Sequence, residues 1–200
     1  MNTDQEIATY LEALALELKR LGVTTQYHIL ISGGAWMLLQ QQQRSTEDID
    51  FALLAAAPRR PKQGKLIRVD IQRKGEIANR GSNTLFSQAV RTIASVYGLE
   101  DDWLNDESAV YLYDDAPSAD AYFWCDFQKV LFIYLPSAEY VFSLKIASYR
   151  RKDQPDVKVL IERLGIRSRE QAQAICDKHL LPEAQAFWEV PKKLRRIFKN

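Results

Sequence analysis

Three residue types within one short stretch could together do phosphate chemistry. Residues Ile29 to Phe51 read ILISGGAWMLLQQQQRSTEDIDF. Ser32-Gly33-Gly34 offers a backbone free to take positive φ and bare of Cβ atoms, so that a ligand can approach the main chain. Placed where a strand ends and a helix begins, such a turn presents N–H groups to a phosphate. Asp48 and Asp50 stand two apart. On a strand this spacing puts both carboxylates on one face, with Ile49 and Phe51 on the other. Two carboxylates form a hard-oxygen site suited to Mg²⁺, which takes one or two carboxylates together with substrate phosphates. A phosphate turn beside a paired-aspartate metal site points to nucleotidyl transfer.

The elements that must hold these groups are legible in the same stretch. Ile29-Leu30-Ile31 is the short apolar run of a buried strand, Ala35 to Leu39 is helical in character, and Thr46 to Leu54 reads as a second strand. Arg44, in the loop after the glutamine run, could reach a phosphate or pair with Glu47 on the surface.

Upstream, Thr3 to Glu6 forms a capping box, and Ile7, Leu11, Leu14, Leu18 and Leu21 mark one helix face from about residue 4 to 21. That face can pack on the sheet or serve as a coiled-coil seam. Downstream, Ala55 to Gly64 is a loop containing proline and arginine, Leu66 to Ile71 a strand and Gly75 to Asn83 a loop. A helix with Leu85, Ala89, Ile93 and Val96 on its stripe, widened by Phe86 and Val90, ends at Gly98. Asp102 to Asp106 then reads as a turn, Ala109 to Tyr113 as a strand, Asp114 to Asp120 as an acidic loop, and Ala121–Trp124 and Val130–Tyr134 as strands. Ser137 to Tyr149 is a helix. Lys145 sits at the margin of its apolar stripe, where it could snorkel to the surface. Pro155 fits the first turn of a further helix, and an Arg150–Asp153 bridge could pin the junction before it. Ser168 caps another helix, and Pro182 opens a last one.

The ordered set Ser32, Gly33, Gly34, Arg44, Thr46, Asp48 and Asp50 resembles the signature of the polymerase-beta-like nucleotidyltransferase superfamily. It is most similar to the minimal nucleotidyltransferases found among abortive-infection-type toxins. Two further segments, Asp102 to Asp106 and Leu135 to Tyr140 followed by Lys145, Arg150, Asp153 and Asp156, are similar to the same group and stand in the same order. The resemblance implies an enzyme in which Asp48 and Asp50 hold one or two Mg²⁺ ions. Ser32, Gly33, Gly34, Arg44 and Lys145 would bind the nucleoside triphosphate. The nucleoside monophosphate would pass to an RNA, protein or small-molecule acceptor, and an antitoxin-like partner would accompany it. Asp70, Asp106 or Asp126 could supply a third carboxylate, or none could. The competing reading is a catalytically silent nucleotide- or RNA-binding protein with the same fold.

Composition bounds these readings. The chain has 200 residues, 46% hydrophobic and 26% charged, with a net charge of +1. Those proportions suit an ordinary globular domain. No apolar run is long enough to span a membrane, and the N-terminal stretch lacks the pattern of a secretory signal, so a cytoplasmic location is expected. Cys125, Cys176, His28 and His179 lack metal-ligand spacing. Charge falls in blocks: eight bases between Pro58 and Arg80, nine acids and no base between Thr92 and Gln128, and five bases in the last nine residues. The terminal basic block could bind RNA phosphates or be a solvated helix face. The expected architecture is α+β, with a small mixed sheet, helices packed on it and a helical C-terminal part. Residues 1–153 form the transferase-like core and 154–200 a helical extension, either separate or one domain with the core.

Overall fold

A computed structural model of the chain describes residues 1–40, 45–58, 64–72, 78, 83–106 and 109–199, the side chains of residues 110 and 111 excepted. Arg44 lies outside the described residues, as do six of the eight bases between Pro58 and Arg80 and most of the loop expected over Gly75 to Asn83.

The fold is α+β. Helix α1 (Asp4–Arg20) opens the chain, followed by β1 (Tyr27–Ile31), α2 (Gly33–Leu39), β2 (Ile49–Leu53) and β3 (Ile67–Asp70). The middle comprises α3 (Leu85–Tyr97), β4 (Leu104–Asn105), α4 (Ala109–Asp115), β5 (Ser118–Phe127), β6 (Leu131–Pro136) and α5 (Ala138–Ser148). A 3-10 turn (Arg151–Asp153) then leads into α6 (Gln154–Leu164), α7 (Arg169–His179), α8 (Pro182–Phe187) and α9 (Val190–Ile197). The strands form one mixed sheet in the order β3-β5-β6-β1-β2-β4. Pairs β1–β6 and β2–β4 are parallel and the others antiparallel. The Ala55 N–H donates to the Asp70 carbonyl and the Gln72 N–H to the Leu53 carbonyl, both at 2.8 Å. Thus β3, the outer neighbour of β5, also touches the far end of β2, and the sheet curls toward closure.

Local rules account for most elements. Thr3 and Glu6 form the expected capping box of α1, and Ile7, Leu11, Leu14 and Leu18 are fully buried beneath α3 and the sheet. Gly98 closes α3 with φ +66°, a left-handed position that glycine takes without a Cβ penalty. The buried stripe of α3 is Phe86, Ala89, Val90, Ile93 and Ala94, whereas Leu85 and Val96 face solvent, so the stripe is rotated from the expected one. Helix α5 is buried on nearly every side. A helix apolar all round belongs in an interior, and α6, α7 and α9 all pack against it. Val157, Leu160, Ala172, Cys176, Val190 and Leu194 join the same apolar cluster as the sheet. Among the described residues no helix is long and apolar enough to cross a membrane.

Four local expectations are corrected. Ala109 to Tyr113 is helical in α4, not a strand. Its run is too short for periodicity to decide, and Ala109, Leu112 and Ala116 are buried at helical spacings of three and four. Within Asp102 to Asp106, Leu104 and Asn105 form a strand parallel to β2, with Asn105 opposite Asp50. The acidic loop expected at Asp114 to Asp120 is instead divided between α4 and β5. The single last helix is two, broken at Glu189, which takes φ +50°.

Trp103 is fully buried and its indole N–H donates to the Val90 carbonyl at 3.0 Å, joining α3 to β4. Trp103→Ala is expected to destabilise the fold by about 4 kcal/mol, read as a lower urea midpoint at unchanged slope.

Candidate functional site

The site forms where β1 ends, beside the first half of β2. The Ser32 N–H donates to the Asp50 carbonyl at 2.9 Å, which locks the turn to the strand. Gly33 then takes φ +65° and lies against the Asp50 side chain. A Cβ at this position would collide with Oδ2 of Asp50 and stand 3.3 Å from its Cγ. Glycine is therefore required twice, for its dihedral angle and for space. Gly34 continues α2. That helix has only seven residues, so side chains rather than its dipole must supply most of the positive charge.

Strand β2 begins at Ile49, so Asp50 is in the strand and Asp48 immediately precedes it. The Thr46 hydroxyl donates to the Asp48 carbonyl at 2.9 Å and shapes this entry. Burial raises the Asp50 carboxyl above its ordinary pKa, and the neighbouring Asp48 charge adds to the shift. Lys152, Lys145 and Arg150 act in the opposite direction. The two carboxylates and three cations thus share one electrostatic neighbourhood.

Lys145 is buried inside α5, with 6% of its surface exposed. Its ammonium group lies 2.9 Å from Asp153 Oδ1 and 2.9 Å from Asp156 Oδ2. The surface alternative for this lysine is corrected: α5 is enclosed, and the ammonium group is paired with two buried carboxylates. Asp153 also accepts hydrogen bonds from Ser148 Oγ at 2.9 Å, Arg150 Nε at 2.9 Å and the Arg150 backbone N–H at 3.0 Å. Burial alone would raise the Asp153 carboxyl, but the bonds from Arg150, Lys145 and Ser148 outweigh it and hold the group well below its ordinary range. The bridge expected between Arg150 and Asp153 is present, while the Arg150 side chain remains 60% exposed.

A cavity of about 310 Å³ opens on this cluster. Its lining combines the polar residues Ser32, Gly33, Asp50, Lys145 and Arg150 with the apolar Leu112, Val141, Leu144 and Trp188, and Asp115 is bonded to Trp188. The structure therefore brings Ser32, Gly33, Asp50 and Lys145 together, with Asp48 adjacent. Of the candidate third acids, Asp70 and Asp126 lie elsewhere, while Asp106 directly follows Asn105, the residue opposite Asp50. Asp70 is exposed on β3, its carbonyl bonded to Ala55 five residues beyond Asp50, or about 17 Å along the strand. Asp106 is buried and accepts the Ala78 N–H at 3.3 Å. Asp126 is exposed on β5 opposite Phe132, toward the other end of the sheet. Among the described residues no group of three or more His, Cys, Asp or Glu could hold a metal ion.

Comparison of the chain with protein-family models, with curated proteins and with solved structures returns no match.

Sequence reasoning did not place Arg150, Lys152, Asp115 or Trp188 at the site. Arg150 entered the sequence reading through the family resemblance and as a junction residue, and Trp188 carried no local signal of a site. Both reach the cavity through the packing of helices distant in sequence.

Two outcomes test this geometry. Gly33→Ala should cost about 2 kcal/mol, and combining it with Asp50→Ala should recover part of that loss in a double-mutant cycle read by urea unfolding. Asp153→Asn leaves Lys145 with a lost charge partner and should cost about 3 kcal/mol at neutral pH. Because the Asp153 carboxyl is depressed in the folded state, its stabilisation is present above the ordinary value of 3.8 and is lost as pH falls below it. Acid titration of the unfolding midpoint should be steeper for the natural protein than for Asp153→Asn.

Proposed function

We propose that the chain is a Mg²⁺-dependent nucleotidyltransferase that passes a nucleoside monophosphate from a triphosphate to a hydroxyl-bearing acceptor. The observation that carries this reading is the contact of the bare Gly33 backbone with the Asp50 carboxylate at the mouth of a cavity shared with Lys145 and Arg150. It is the juxtaposition needed to bring a phosphate chain against a metal-binding carboxylate.

The donor set fits the metal. Asp48 and Asp50 form a like-charged pair, and Asp50 is poorly solvated. With Asp153 and Asp156 they make four carboxylates against the cations Lys145, Arg150 and Lys152. Such a site repels a triphosphate until a divalent cation offsets the excess. Asp48 and Asp50 would hold Mg²⁺, one or two ions, which when bound polarises the phosphate oxygens and offsets charge on the leaving pyrophosphate.

The remaining work falls to the chain itself. Gly33 lets the phosphates approach the main chain without steric conflict. Arg150, exposed and oriented by Asp153, offers a fork of donors to phosphate oxygens. Lys145 contributes its field from within α5, held in place by its two carboxylates. Leu112, Val141 and Leu144 exclude water from part of the cavity. The acceptor hydroxyl gives up its proton to solvent water as its oxygen bonds to the α-phosphorus, the bond to the bridging oxygen breaks and pyrophosphate leaves.

The two further carboxylates of the cluster, Asp153 and Asp156, are engaged by Lys145, which gives weight to a second reading. In that reading the chain binds a nucleotide without transferring it.

The discriminating experiment is transfer of label from α-labelled nucleoside triphosphates to RNA or protein, with and without Mg²⁺. Asp48→Ala and Asp50→Ala should each reduce transfer at least about a hundredfold, since the metal supplies several kcal/mol of transition-state stabilisation. Asp50→Ala should leave the melting temperature unchanged or raised, because a desolvated, repelled charge has been removed. Nucleotide binding without any transfer would favour the second reading.

A further inference from the structure

We propose that Trp188 and Asp115 form the base end of this cavity, with Trp188 as a stacking platform and Asp115 as the reader of a base edge rich in N–H donors, guanine foremost. The inference rests on the transferase reading of the same cavity and extends it to the choice of nucleotide.

The cavity lining sorts by chemistry. Gly33, Asp50, Lys145 and Arg150 suit phosphates and metal, whereas Leu112, Val141, Leu144 and Trp188 suit the flat apolar part of a nucleotide, its base. Trp188 is half-buried and held in place by three contacts. Its indole N–H donates to Asp115 Oδ2 at 2.6 Å. The Lys193 ammonium lies 5.7 Å from the ring centroid, and Phe187 packs edge-on at 4.9 Å. The residues beneath are braced as well. The Asp115 carbonyl accepts the Leu181 N–H at 2.9 Å, tying the end of α4 to the start of α8. Lys193 also donates to the carbonyl of Ala147, another lining residue. An aromatic ring fixed before the ligand arrives loses little entropy on stacking.

Asp115 accounts for the selection of base. An ionised carboxylate only accepts hydrogen bonds. Trp188 takes one lone pair of Oδ2, which leaves Oδ1 and the second lone pair of Oδ2 for a ligand. Burial raises the Asp115 carboxyl, against the opposing bond from Trp188, so the anion is under-solvated and gains from further donors. Guanine presents N1–H and an amino group side by side. Adenine and cytosine present a single amino group. Uracil presents one N–H between two carbonyl oxygens, which the carboxylate repels.

The test is calorimetric binding of the α,β-methylene analogues of GTP, ATP, CTP and UTP to the full chain with Mg²⁺. The GTP analogue should bind at least about tenfold more tightly than the UTP analogue, the scale of one good two-bond base contact. Trp188→Leu should weaken all four by about tenfold, as loss of a stacking partner does. Asp115→Asn keeps an acceptor for the Trp188 N–H, so the fold is preserved, but sets an amide N–H against the guanine donors. It should level the series. Equal binding of all four by the natural protein, or an unchanged preference in Asp115→Asn, would overturn the base-end assignment and leave the transferase reading standing. Binding of no analogue, with no label transferred, would overturn both.

Discussion

The buried contact of Lys145 with Asp153 and Asp156 is the constraint on which the site depends. Helix α5 has no polar face to give to solvent, so its one cation must find its partners inside the protein. A lone buried ammonium would be too costly to keep charged. The two carboxylates come from the turn after α5 and from the first turn of α6, so satisfying Lys145 fixes the angle between these helices. Tyr149, at φ +40°, takes the left-handed position that the tight reversal demands. The net stability gained from such a cluster is small, because desolvation offsets most of the attraction. What it supplies is geometry: Arg150 is held between this cluster and the Asp48–Asp50 pair.

That arrangement explains how opposed charges coexist at the mouth of the cavity. Asp50 is pushed up by burial and by Asp48, and its side chain lies where a Cβ on residue 33 would stand. Burial and like charge are local costs, and they coincide at one residue. Unfavourable solvation of this kind persists where the surrounding structure over-determines it. Here the hydrogen bond from Ser32 to the Asp50 carbonyl and the pairing of β2 with both β1 and β4 provide that restraint.

The frame of the fold was legible because its signals are local. The capping box of α1, the glycine that closes α3, the turn after β1 and the serine cap of α5 each act within a few residues. The Asp48–Asp50 pair was legible for the same reason. Three features were not. Val, Leu and Tyr in residues 109–113 favour a strand by type, yet α4 forms because Ala109, Leu112 and Ala116 can be buried together only as a helix. Lys145 read as marginal because a stripe drawn on one face cannot reveal a helix covered on all sides. Trp188 lies more than 130 residues from Asp50 in sequence, and nothing between them signals that the two share a cavity. Side chains brought together by α5 and its covering helices are a property of tertiary packing, which periodicity does not encode.

The same packing bears on how the last third of the chain should be regarded. An appendage would present its own apolar core and leave the sheet domain complete without it. Here α5 follows directly from β6, and its buried surface is covered by α6, α7 and α9. The cavity makes the point chemically. Its polar lining comes from β1, β2 and α5, while Trp188, at the end of α8, is held by Asp115 from the middle of the chain. A boundary after Asp153 would cut between Lys145 and Asp156, severing the ion cluster that positions Arg150. The C-terminal helices thus share one apolar cluster with the sheet, and Trp188 lines the same cavity as Asp50 and Lys145.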